Sequence, residues 1–181
     1  MFPTVTLWYY GGVEADCREE ARRWAAEVLL ERETGDEPFQ AEVRGISMAP
    51  LLAPGDVVTL EPYRDRRPRV GDVALLVVSD RDRFLHRVVV RRGSRYVLKG
   101  DRGRCADPAV PAAAVRARAV AVSRGGREVS LTGGWPRLVG WAIAAVSRLE
   151  GALTADERHP FVNRVAYALM AFAARALGSR L

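Results

Sequence analysis

The sequence predicts a mainly β, antiparallel domain with helices at both ends, and three observations carry that prediction. From Phe39 the chain runs in short β-prone stretches, about 40–46, 57–62, 72–78, 84–91, 95–99, 115–122 and 127–131. The breakers between them include Pro54-Gly55-Asp56, Pro68 to Asp72, Ser79 to Asp82, Gly93-Ser94 and Gly125-Gly126. Connections of this hairpin length are too short for the crossovers that parallel pairs require. On either side of this region the apolar spacing changes to the helical period.

Taken in order, a β-prone start from Val5 to Tyr10 passes through Gly11-Gly12 into a charged run. There Ala21, Trp24, Ala25, Val28 and Leu29 recur at helical spacing. The spacing predicts an amphipathic N-terminal helix over about 14–33, stopping near Thr34-Gly35. The seven strands then imply one compact β unit. Beyond Gly133-Gly134 the periodicity predicts two C-terminal helices, over 136–150 and 161–178, the second entered at His159-Pro160, where Pro suits a first turn. Three parts result: 1–38, a strand and helix; 39–132, the β domain; and 133–181, a helical hairpin. The hairpin suits packing on the β domain, a peripheral membrane contact or a protein partner.

Composition narrows the function classes. A chain of 181 residues, 49% hydrophobic, is long enough to bury a sizeable core. The 28 basic and 22 acidic residues give a net charge of +6, but the basic residues are scattered, and all except Lys99 are arginine. That distribution describes solvated surface charge better than a nucleic-acid face, so nucleic acid is disfavoured as a partner. Cys17 and Cys105 have no CxxC spacing, which indicates neither a disulfide framework nor a zinc site, and no cofactor is expected. The amino terminus lacks a basic leader with an apolar run. The apolar stretch 138–146 stops at Ser147-Arg148, short of the roughly 18–20 residues a spanning helix needs. A cytoplasmic chain, at most peripheral to a membrane and without signal peptide or transmembrane helix, is the expectation.

One segment raises a chemical question. Residues 43–56 read VRGISMAPLLAPGD, and Ser47 among Gly, Pro and Asp is ordinary turn chemistry. A serine hydroxyl becomes a nucleophile only beside a group that takes its proton, usually His or a desolvated Lys. The chain holds two His and one Lys. His86 lies in the apolar stretch Phe84 to Val90, where a lone histidine is ordinarily a packed core residue. His159 sits at a helix entry, and Lys99 precedes Gly100-Asp101, where a turn lysine is ordinarily solvated. A polar loop after the strand 95–99 carries Asp101 and Asp107, either of which can orient His86 and stabilise its protonated form.

Together these segments resemble the serine proteases of the signal peptidase and LexA-like superfamily. Gly45 through Asp56 reproduces that superfamily's Gly-x-Ser-Met-x-Pro-x(4)-Gly-Asp motif; Gly71-Asp72-Val73-Ala74 is similar to its second Gly-Asp strand motif. His86-Arg87-Val88-Val89 resembles the general-base segment, and Lys99-Gly100-Asp101 with Asp107 the acidic loop. The resemblance covers residues 40 to about 120, and four motifs in order are far more specific than one. It places the chain in the branch whose base is His, as in the endoplasmic-reticulum and archaeal signal peptidases.

The resemblance implies Ser47 as nucleophile, His86 as general base, Asp107 as orienting acid and Asp101 as a supporting carboxylate. Gly45 and Pro50 shape the nucleophile turn, whose backbone donors serve the oxyanion, and Met48 lines the groove and packs beneath Ser47. The partner implied is an extended peptide or protein substrate, paired with an edge strand, with small residues beside the cut bond. The departure from the family is the missing N-terminal membrane anchor. Two other readings stand beside the peptidase. A LexA-like self-cleaving regulator needs a scissile bond upstream of Ser47, and the first 40 residues contain no Ala-Gly or Cys-Gly pair. A non-catalytic binding module on the same fold would have no use for Ser, His and Asp together.

Overall fold

The computed structural model describes residues 28–30, 37–77, 83–103 and 106–153, with Ala168, Ala171 and Phe172. The β-prone stretches become strands: β1 (Val28–Leu30), β2 (Phe39–Val43), β3 (Val57–Pro62), β4 (Val73–Val77), β5 (Arg83–Arg92), β6 (Arg95–Lys99), β7 (Val110–Pro111), β8 (Val115–Arg124) and β9 (Arg127–Ser130). All pair antiparallel in one sheet, ordered β1-β2-β3-β8-β4-β5-β6-β7, with β9 on β8. The helix α1 (Gly134–Leu153) follows.

The long strand β8 makes the sheet curl. Ala117 and Arg118 pair with β3 on one side and with β4 on the other, while residues 121–124 pair with β9. Both the β3 and the β4 ladder carry a register shift, and such irregularities increase local twist. The curl lets β4 be buried on both faces, so Val73 to Leu76 form an unbroken buried run. Val73 and Leu75 join a core with Val43, Met48, Leu60 and Leu85, whereas Ala74 and Leu76 join a second with Tyr63, Val88, Tyr96 and Leu98. Successive side chains on a strand point to opposite faces, which is why one strand serves two cores.

The region 39–132 thus folds as the mainly β antiparallel unit its sequence predicts. The N-terminal helix needs correction: Val28, Leu29 and Leu30, placed inside helix 14–33 by periodicity, form β1 against Val43, Glu42 and Ala41. Three consecutive large aliphatic residues suit a strand as well as a helix, and the open edge of β2 supplies ladder partners that local spacing does not reveal. The remainder of 14–33 and the start at 5–10 lie outside the described residues. β7 was also not foreseen; Pro111 is tolerable there because β7 ends the sheet.

Of the two expected C-terminal helices, α1 is present and extends the 136–150 expectation at both ends. The second, 161–178, lies outside the described residues apart from Ala168, Ala171 and Phe172, which are helical. α1 buries Gly140, Ile143, Ala144 and Ser147, one face at three- and four-residue spacing. Its approach to the sheet is backbone against backbone. A Cβ on Gly71, whose φ is +96°, would lie 2.9 Å from Trp141 N, and one on Gly140 would lie 2.8 Å from Gly71 O. The Gly71 turn is held by Asp72, which accepts from Arg69 N at 2.9 Å and from the Tyr63 hydroxyl at 3.1 Å. Burial, then the Asp72 charge and hydrogen bond, push the Tyr63 phenol far above its ordinary pKa, so it remains a donor. Among the described residues no helix is long and apolar enough to cross a membrane.

Candidate active site

Ser47 sits in a turn between β2 and β3 whose neck is closed by backbone bonds. Gly55 N donates to Val43 O and Val43 N to Asp56 O, both at 2.8 Å. Gly55, at φ +88°, reverses the chain in a region that L side chains avoid. Asp56, 2% exposed, accepts from Ala53 N at 2.8 Å and receives a bidentate Arg124 from β8, at 2.7 and 2.6 Å. Arg124 also donates to Leu51 O at 3.3 Å. The Asp of the Pro-Gly-Asp signal is therefore an anchor for the whole loop. The Asp56 carboxylate raises the Arg124 pKa further above its ordinary value.

Met48 and Leu52 are wholly buried within the loop's side of the core. The expectation that Met48 lines a groove does not hold: its side chain supports the turn from beneath and presents no surface to a ligand. Gly45 and Pro50 are half-buried, and the Ala49–Pro50 peptide is cis. Ser47, 3% exposed, accepts at its carbonyl from Arg102 N at 2.8 Å, which ties the loop to the segment after β6.

His86, on β5, is 5% exposed and stacks on Phe84, two residues earlier on the same face, with ring centroids 6.1 Å apart. Its Nδ1 lies 2.6 Å from Asp107 Oδ2. An ionised carboxylate only accepts, so the hydrogen bond puts a proton on Nδ1, and in the neutral ring it is Nε2 that holds the lone pair. Asp107 is itself placed by a backbone bond from its N–H to Leu98 O at 2.8 Å. The opposite ring nitrogen, Nε2, is buried without a hydrogen-bond partner among the described residues.

Gly100 brings Ser47 and His86 together. A Cβ built on it would meet Ser47 O at 3.0 Å, Ser47 Cβ at 3.1 Å and His86 Nε2 at 3.2 Å. Two atoms each about 3 Å from one point are at most about 6 Å apart, so Ser47 and the Nε2 edge of His86 border the same small space over Gly100. Only glycine leaves that space, which explains the Gly of Lys99-Gly100-Asp101.

Asp101, the other candidate acid, does not reach the histidine. It is 4% exposed and pairs with Arg87, Nε to Oδ1 at 2.7 Å and Nη2 to Oδ2 at 2.6 Å. Arg87 Nη1 donates to Gly71 O at 2.8 Å, so the pair links β5, the Gly71 turn and the loop after β6. Asp101 is thus a structural anchor next to the site. Lys99, expected to be solvated, is 5% exposed at the end of β6 opposite Arg87. His159 lies outside the described residues, as do Cys17 and Cys105, and no metal-holding cluster occurs among the described ones.

Sequence reasoning missed Arg87 and Arg124 as anchors. The available signal was an arginine within an apolar β run, a position that demands a buried carboxylate. The edge of β2 nearest this loop is occupied by β1, which also touches β5. In comparisons with known proteins, no family model, curated protein or solved structure matches this chain.

Proposed function

We propose that this chain is a serine endopeptidase of the signal-peptidase kind, with Ser47 as nucleophile, His86 as general base and Asp107 as the residue that orients the base. The observation carrying this reading is the histidine's asymmetry. Nδ1 is held by a carboxylate at 2.6 Å, while Nε2 is buried, unpartnered and converges with Ser47 on Gly100. A histidine that served packing alone would be expected to satisfy both nitrogens, because a buried unsatisfied polar atom costs about 1–3 kcal/mol.

In the proposed reaction, Ser47 Oγ attacks the carbonyl carbon of the scissile amide as Nε2 takes the hydroxyl proton. The resulting imidazolium is stabilised by Asp107. The C–N bond then breaks while Nε2 returns the proton to the departing amine. Water, deprotonated by the same nitrogen, hydrolyses the acyl-enzyme and restores Ser47. Backbone donors of the nucleophile turn would face the oxyanion. An extended peptide pairing along β2 takes the ladder positions that β1 holds, so substrate entry there requires β1 to yield its edge.

The test is covalent labelling with a fluorophosphonate probe, located by mass spectrometry, together with cleavage of a peptide library. Label at Ser47 and library cleavage are expected for the native chain. Ser47→Ala and His86→Ala are each expected to lose about 10⁶-fold in rate, the scale for removing such a group, with unchanged circular dichroism. Native-like cleavage by either variant removes the assignment. A stable full-length mass on incubation argues against self-cleavage.

A further inference from the structure

α1 has two apolar faces, and the described residues cover only one of them. At 100° per residue, Gly140, Ile143, Ala144 and Ser147 point to the sheet, Leu138 and Leu149 point the opposite way, and Trp141 lies on the flank beside them. Trp135, Leu138, Trp141 and Leu149 are 55%, 62%, 61% and 56% exposed. Large apolar side chains exposed in one row mark an interaction surface and not scattered surface residues.

The rim of that face carries one sign of charge. Arg137 and Arg148 are exposed and lie on the same side of the helix, next to Trp141. Residues 134–149 contain no Asp or Glu. A second copy of this face would bring arginines against arginines, and the first carboxylate of the helix, Glu150, comes only after the last of them, which disfavours a symmetric dimer. The close backbone approach of Gly140 to Gly71 seats the helix against the domain through its small-residue face.

We propose that the outer face of α1 docks on the surface of an anionic lipid bilayer, with Trp135, Leu138, Trp141 and Leu149 entering the headgroup boundary and Arg137 and Arg148 contacting lipid phosphates. Tryptophan suits that boundary because one edge of its ring is apolar and the other donates a hydrogen bond. The helix lies on the bilayer and does not span it, in keeping with its length and hydropathy. This surface is separate from the Ser47 and His86 chemistry and stands or falls without it.

Sedimentation of the full chain with phosphatidylcholine vesicles, with and without phosphatidylglycerol, tests the proposal. Binding is expected only to the anionic vesicles, falling as salt rises. Leu138→Glu with Trp141→Glu is expected to weaken it by at least about tenfold. Arg137→Gln and Arg148→Gln are expected to weaken it about fivefold each, and Ser47→Ala not at all. No sedimentation in low salt overturns the proposal. So does wild-type binding by the double glutamate variant, which would put the membrane contact elsewhere in the chain. A wild-type dimer that the glutamate variant converts to monomer, without vesicle binding by either, identifies a second copy as the occupant and equally overturns it.

Discussion

His86 and Arg87 are neighbours on β5, each bound to an aspartate of the same loop, yet the two pairs are built for opposite purposes. His86 is bonded to Asp107 through one nitrogen, and the other, bordering Ser47, has no hydrogen-bond partner among the described residues. Arg87 spends all its bonded nitrogens, two on Asp101 and one on Gly71 O. The strand's alternation sends the two residues to opposite faces. An imidazole with one committed nitrogen is therefore backed by a fully bonded guanidinium. Burial and a carboxylate partner are common to both; what sets His86 apart is the second ring nitrogen, which borders Ser47.

The sharpest way to break this comparison is to neutralise each aspartate. Asp107→Asn is expected to lower the peptidase rate by about 10⁴-fold, because the amide can donate to Nδ1 and stabilise the wrong tautomer, with little change in thermal midpoint. An equal rate for Asp107→Asn and the native chain would reduce the His86 contact to architecture. The converse variant, Arg87→Met, leaves Asp101 buried and uncompensated and is expected to cost about 3–5 kcal/mol in urea unfolding. Adding Asp101→Leu should recover most of that loss, since two apolar groups replace a buried pair with no charge left behind. If the double variant is no more stable than the single, the pair does more than satisfy itself.

A smaller effect is expected where Arg87 meets the helix. Gly140→Ala would place a methyl 2.8 Å from Gly71 O and 3.1 Å from Arg87 Nη1. The overpacking is expected to cost about 1–3 kcal/mol. Lost activity of a still-folded variant, with KM unchanged, would show that the helix reaches the catalytic residues through Arg87. The smallest effect belongs to the half-exposed pair of Arg118 with Glu61, bonded at 3.0 and 2.6 Å. The Arg118 hydrogen bond holds the Glu61 carboxyl below its ordinary value of 4.5. A depressed carboxyl contributes stability above its unfolded value, and that contribution is lost as pH falls through the lower folded value. Glu61→Gln is thus expected to flatten stability slightly between neutral pH and below 4.5, measured by urea midpoints across that range. An unchanged profile would show that solvent screens the pair completely.

Much of the architecture was legible because it rests on local signals. Short β-prone runs and turn breakers located seven of the nine strands among the described residues, and helical spacing located α1. The strands that escaped, β1 and β7, have three and two residues, and their existence depends on an edge supplied by distant chain. Of the candidate site, the residue types were legible from scarcity: one serine in a Gly-Pro-Asp turn, and few groups able to take its proton.

The sequence by itself determined which residues could carry chemistry, since Ser47, His86, Asp101 and Asp107 were all named by type, order and spacing. Only the tertiary structure decided between the two aspartates, put Lys99 and Met48 into buried positions, and exposed the outer row of α1. The physical reason is reach. Periodicity and turn chemistry act over a few residues, whereas the partners of His86 and Arg87 lie 21 and 14 residues away and are selected by strand register, face and the room left by a glycine.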